Sequence, residues 1–199
     1  MAARSGMVSL IDRLRGMTAA GTADWSLGTA TFWDDDHMQE VLDEYRTDFY
    51  RAELVPVPVT VSGASAAGGP GTAVYRRYDV PYQNLETIAS GTPIFDLSYS
   101  FGGTVTEAGT IDYMKGVITF NNDQRGTAFF LSGRSYDVNA AAADVWRKKA
   151  AHYAEAYDIK TGDKDLKRSD LIKHCLEMAE RFDVQAGAFS IGAERGDTL

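Results

Sequence analysis

YDVNAAAADVWRKKAAHYAEAYDIKTGDKDLKRSDLIKHCLEMAERF, residues 136–182, is the stretch whose reading decides the fold. Ala142, Val145, Trp146, Ala150, Tyr153 and Tyr157 fall on one face of a helix running from 138 to about 157. Asp137 or Asn139 can cap its start. The alanine cluster 140–143 favours helix and permits close approach of a neighbour. A polar loop, DIKTGDKDLKR, follows at 158–168. Ser169 is then expected to cap a second helix, 170–182, with Leu171, Ile172, Cys175, Leu176, Ala179 and Phe182 turned inward. Two amphipathic helices joined by such a loop predict an antiparallel pair. Beyond Phe182 the apolar period fades, and residues 183–199 read as a mobile tail in which Phe189 and Ile191 are out of character.

Toward the N-terminus, the apolar spacing again predicts helices. Leu10, Ile11, Leu14 and Met17 share a face in a short segment, 7–17, with Ser9 as its expected cap and Gly16 near its end. Residues 18–31 are rich in Gly, Ala and Thr and read as a loop. Asp34, Asp35 and Asp36 then precede Met38, Val41, Leu42 and Tyr45 at helical spacing. One of these aspartates can cap free N–H groups, the others sit where the helix dipole favours negative charge, and Phe32 and Trp33 can staple the start. The alternative for the triplet, a metal site, lacks a fixed pattern of further oxygen ligands.

Between the two helical ends the period changes to two. LVPVPVTV, residues 54–61, is extended, and its prolines confine it to an edge strand or an extended arm. Residues 62–73 form a Gly-rich linker or long exposed loop. Val74, Tyr75, Tyr78 and Val80 mark a strand, and Phe95, Leu97, Tyr99 and Phe101 alternate with Asp96, Ser98 and Ser100 in another. TIDYMKGVITFN, residues 110–121, predicts a hairpin turning at Lys115-Gly116. TAFFLS, 127–132, makes a further strand. Short connections predict antiparallel pairing throughout. The fold class expected is α+β: an antiparallel bundle of N-terminal and C-terminal helices with an inserted antiparallel β-domain. The segments are 1–53 (N-terminal helices), 54–137 (β-domain), 138–182 (C-terminal pair) and 183–199 (tail).

Twenty Lys and Arg stand against 28 Asp and Glu, a net charge of −8, and the basic residues are scattered. Binding to nucleic-acid phosphates needs them clustered. One cysteine, Cys175, allows no disulfide within the chain and reads as buried filler. No apolar run approaches a membrane span, the start lacks a secretion signal, and a cytoplasmic product is expected.

Chemistry has few footholds. His37, His152 and His174 fall in separate helices, and His174–Cys175 are helix neighbours that do not face each other. No nucleophile elbow, P-loop or dinucleotide fingerprint is present. Glu86, Asp96, Glu107 and Asp112 could line a sugar cleft, but such residues are commoner at turns and on solvated strand faces. Tyr99, Phe101, Tyr113, Phe120, Phe129 and Phe130 read as the core of a small sheet. No catalytic, cofactor-binding or metal residues are assigned, and no cofactor is expected.

Three stretches together resemble the head–tail adaptor (connector) proteins of tailed bacteriophages. They are WDDDHMQEVLDEYRTDFYRAELVPVP (33–58), IDYMKGVITFNNDQRG (111–126) and the segment 136–182 quoted above, a little over two-fifths of the chain. The resemblance implies a non-enzymatic virion subunit, made in the host bacterial cytoplasm. It would belong to a dodecameric ring of identical copies between the portal ring and the next neck or tail protein. DNA would pass through the lumen without sequence-specific binding, and no membrane is involved. Phe189, Ile191 and Leu199 in the tail are the expected partner-binding residues. The alternatives are another neck component (stopper or tail completion) and a glycan-binding or glycan-cleaving module.

Overall fold

A computed structural model describes residues 3–21, 26–27, 30–31, 33–61, 72–87, 96–100, 102–103, 105, 109–154, 159–161, 164–166 and 168–187. The expected strand residues Phe95 and Phe101, most of the Gly-rich loop (62–71) and the tail anchors Phe189, Ile191 and Leu199 lie outside them. The fold is mixed α+β, with four α-helices and two antiparallel sheets, besides two short hairpins, among the described residues. Two compact units are formed: the described residues up to Arg46 together with those from Tyr136 onward, and Thr47–Ser135.

The first unit is helical. A 3-10 turn, Ser5–Met7, leads into α1 (Val8–Thr18). Ser9 therefore sits inside the helix and does not cap it; Met7 holds the cap position with no side-chain bond. β1 (Ser26–Leu27) and β2 (Ala30–Thr31) form a two-residue hairpin where a loop was expected. α2 (Asp35–Glu44) starts as predicted: the Asp34 carboxylate accepts the His37 N–H at 2.9 Å, while Asp35 and Asp36 occupy the first turn. α1 packs on α2 and α3, and Leu10, Ile11, Leu14, Met38, Val41 and Leu42 are buried. Arg4 bonds both Asp43 carboxylate oxygens (2.9 and 2.6 Å) and reaches the Tyr136 hydroxyl at 3.0 Å.

α3 (Val138–Ala154) is capped by Asp137, whose carboxylate accepts the Asn139 and Ala140 N–H groups. The segment expected as a polar loop carries a small hairpin, β10 (Ile159–Thr161) with β11 (Lys164–Leu166). Ile159 and Thr161 are β-favouring side chains that a reading by polarity alone passes over. α4 (Arg168–Gln185) begins a residue before Ser169, which is therefore not its cap. Asn139 donates to the Gln185 carbonyl at one end, and Arg147 pairs with Asp183. With Trp146 beside His174, these contacts make α3 and α4 antiparallel. Ile172, Cys175, Met178, Ala179 and Phe182 face α3. Leu171 and Leu176, expected inward, are 45% and 47% exposed. α4 packs chiefly on α3, so a single neighbour covers a single face and leaves both flanking positions in water.

The second unit is built from antiparallel strands. β3 (Arg46–Glu53) occupies residues that the sequence reading assigned to the N-terminal helices. The helix stops at Glu44, and Thr47, Phe49 and Tyr50 favour an extended ladder. β3 forms one edge of a three-stranded sheet with β9 (Phe129–Tyr136) at the centre and β6 (Asp96–Tyr99) beyond, the latter in register Asp96↔Ser132 to Tyr99↔Phe129. The four-stranded sheet runs β4 (Val55–Val61), β5 (Thr72–Asp79), β8 (Val117–Thr119), β7 (Thr110–Asp112). β4 is the edge its prolines demand, with an irregularity between Val57 and Val59 around Pro58. The predicted hairpin pairs Thr110↔Thr119 to Asp112↔Val117. Gly116 takes φ +68°, and a Cβ there would lie 2.0 Å from the Tyr82 carbonyl oxygen. Leu54, Tyr78, Val80, Leu85, Ile118, Phe120, Phe129 and Leu131 form the core. Tyr78 meets Phe120 and Phe129 edge-on at 5.3 and 5.1 Å.

Candidate functional site

Two of the four carboxylates weighed for chemistry have described side chains. Glu86 is buried and lies 3.6 Å from the Arg134 guanidinium, and its N–H bonds the Arg134 carbonyl. Asp112 accepts the Met114 and Lys115 N–H groups of its own turn. Glu107 and the side chain of Asp96 lie outside the described residues, so half of the supposed carboxylate set is placed, and that half is committed to packing and turn formation. Phe120 and Phe129 are core residues, while Phe130 carries the Arg51 guanidinium 4.9 Å above its ring. No cluster of three or more His, Cys, Asp or Glu suited to a metal occurs among the described residues. Cys175 is 3% exposed, and burial pushes its thiol up, the opposite of what a reactive thiolate needs.

Among the described residues of the helical unit, a cleft lies at each end of α1. The first, about 250 Å³, opens between α3 and α4 at the C-terminal end of α1. Trp146, Lys149, Tyr153, Leu171, His174 and Cys175 line it, with Ala19 at the α1 end. None of these lining residues is a carboxylate. Trp146 and His174 meet edge-on at 5.9 Å.

Lys149 is the unexpected member. It is 5% exposed, and its ammonium donates to the Thr18 and Ala19 carbonyls at 2.9 and 3.2 Å. The Trp146 indole N–H donates to the Met17 carbonyl at 3.3 Å. Arg15 donates to the Ala20 and Gly21 carbonyls. The last carbonyls of a helix have no partners within it, and a cation also opposes the negative end of the dipole. α3 thus closes the C-terminus of α1. The signal was present in the sequence: Lys149 stands three residues after Trp146 and one before Ala150, on the apolar face itself.

The second cleft, about 520 Å³, lies at the other end of α1. Val8 and Ile11 give it an apolar part, and Asp12, Asp34, Asp35 and Asp36 an acidic one. Asp35 also pairs with Arg15 at 2.8 Å. The N–H bond from His37 holds the Asp34 carboxyl below the usual range. A depression of about 230 Å³ on the four-stranded sheet is lined by Arg77, Asp112, Lys115 and three neighbours, and Arg77 pairs with Asp79 at 2.8 Å.

Among the described residues, buried Lys149 serves a helix end and buried Glu86 lies beside Arg134. No helix among the described residues is long and apolar enough to cross a membrane. Compared with protein-family models, with curated proteins and with solved structures, the chain matches none.

Proposed function

We propose that this chain is a structural head–tail adaptor subunit of a tailed bacteriophage, a non-enzymatic component of the virion neck. Copies assemble into a ring between the portal and the next neck or tail protein, and DNA passes through the lumen. The observation that carries the reading is the order of the units along the chain. Both ends contribute helices to one unit, and Thr47–Ser135 leaves and returns as a single β-rich excursion. We read this as an antiparallel helix bundle with an inserted β-domain, in keeping with the resemblance of residues 33–58, 111–126 and 136–182 to adaptors. A net charge of −8 supports a lumen that repels the DNA backbone and lets it slide. Rings of identical copies arise from head-to-tail contacts that close on themselves.

Electron microscopy of the purified chain, alone and mixed with portal rings, tests the reading. Rings, or coaxial stacks on the portal, are expected. A chain that forms neither under both conditions is not an adaptor. Within this reading, Phe189, Ile191 and Leu199 remain the proposed portal anchors, and the test for them is portal binding after removal of 187–199.

A further inference from the structure

α4 is held on α3 in two ways. From Ile172 to Phe182 the hold is apolar: Cys175 and Ala179 are buried with Trp146 and Ala150 of α3, and Ile172, Met178 and Phe182 pack against them. The last turn is different. None of residues 183–187 is buried, and Val184 is 84% exposed. Polar ties hold this turn. Arg147 pairs with Asp183, the Asn139 side chain donates to the Gln185 carbonyl at 3.2 Å, and the Gly187 N–H donates to the Asp137 carboxylate at 2.8 Å. Asp137 thus serves two helix ends: its Oδ1 caps α3, and its Oδ2 holds the end of α4. All of these ties to α4 lie at the surface, where water competes for the hydrogen bonds and salt screens the charges. The buried stretch has no such competitor. α4 should therefore open from its last turn, with the packed part up to Phe182 left in place.

We propose that residues 183–187 are a latch that releases from α3 as a unit while the rest of α4 stays packed. Oδ1 of Asp137 keeps the cap of α3 when Oδ2 lets Gly187 go, so release does not unravel α3. The consequence is reach. As helix these residues span roughly 7 Å, and drawn out they span at most about 17 Å. Whatever follows Gly187 gains that difference. The use of this reach rests on the adaptor reading. Phe189 and Ile191, the proposed portal anchors, follow the latch directly, and a closed latch fixes their starting point at the first turn of α3. Docking that needs the longer reach draws the latch open.

Amide hydrogen exchange on the full chain, followed residue by residue by nuclear magnetic resonance, is the test. Asp137→Asn keeps an oxygen for the α3 cap and turns its amide NH2 toward the Gly187 N–H, donor against donor. It should speed exchange at Gln185, Ala186 and Gly187 together by about two- to tenfold, the worth of one such bond. Exchange at Cys175–Phe182 and through α3 should stay as in the parent. If D137N does not fold, Asn139→Ala, which removes the tie to Gln185, replaces it with the same expectation. Unchanged exchange, acceleration confined to Gly187, or acceleration spread equally through Cys175–Phe182 overturns the latch. Binding of the same variant to portal rings tests its use. A latch already loosened should bind more tightly, by up to the same factor, because docking no longer breaks that bond. Unchanged or weaker binding overturns release on docking. A latch shown by exchange in a parent that makes no ring on the portal overturns the adaptor reading and leaves the latch standing.

Discussion

In the unit formed by Thr47–Ser135 the largest fully buried side chains are aromatic: Tyr78 in β5, Phe120 just after β8 and Phe129 in β9 meet ring on ring. In the helical unit Trp33 and many aliphatic side chains fill the centre, and long polar side chains cross between helices to close it. Arg4 reaches from ahead of α1 to Asp43 and Tyr136, and Lys149 reaches from α3 to the end of α1. Apolar burial is non-directional and tolerates small shifts of a neighbour. A buried polar contact must be made in full or it costs more than it returns. The β-unit should therefore respond to lost volume, and the helical unit to lost partners.

The largest effect is expected from Phe129→Ala. Phe129 is fully buried, stacks on Phe120 at 4.7 Å and sits on the central strand β9. Emptying that site should cost about 3–5 kcal/mol, read as a lowered denaturant midpoint in the near-ultraviolet aromatic signal. A loss under about 1 kcal/mol would mean the site collapses freely, and the contrast between the units would fail on this side.

Lys149→Met tests the other side. Methionine keeps the stem and removes the ammonium, leaving the Thr18 and Ala19 carbonyls without those bonds. The expected cost is about 1–3 kcal/mol, seen as a lower melting temperature by helical circular dichroism. Burying an ammonium carries its own desolvation cost, so a variant that melts higher would show that α1 needs no polar closure from α3.

What the sequence disclosed divides along the same line. Strong alternation and glycine at the turn placed β5, β6 and the β7–β8 hairpin, and the aspartates placed the start of α2. β3 was missed because its residues continue a helical pattern, and a pairing partner far along the chain, β9, decides their conformation. Leu171 and Leu176 stand at the edges of the apolar stripe of α4, and α3, its main neighbour, covers only the centre of that stripe. For the candidate site, the tail residues Phe189, Ile191 and Leu199 were read from composition alone and lie outside the described residues. The clefts were invisible because each joins positions far apart in sequence. Lys149 could have been found, since a lysine on the apolar stripe of a helix calls for a buried acceptor.

The smallest effects expected come from acid, and they provide one probe in each unit. Asp34 is held below its ordinary value of 3.8, first by the His37 N–H; Asp123, in the β-unit, is held below it first by the Arg125 N–H and then by that of Tyr75. A carboxyl whose folded value is depressed adds stability above its unfolded value and loses it as the pH falls through the folded one. Asp34→Asn and Asp123→Asn should each melt slightly below the parent at neutral pH, and the gap should close as acid protonates the parent carboxylates. Asparagine can still cap a helix, so the neutral-pH gap for Asp34→Asn isolates the charge. Asp123 is exposed and bonds the backbone of a turn and of β5, so its variant should show the same closing gap without any helix dipole. Melting curves of parent and variants taken from neutral pH down through 3.8 decide it. A gap that stays constant with pH would mean shape, and not charge, is what these two aspartates supply.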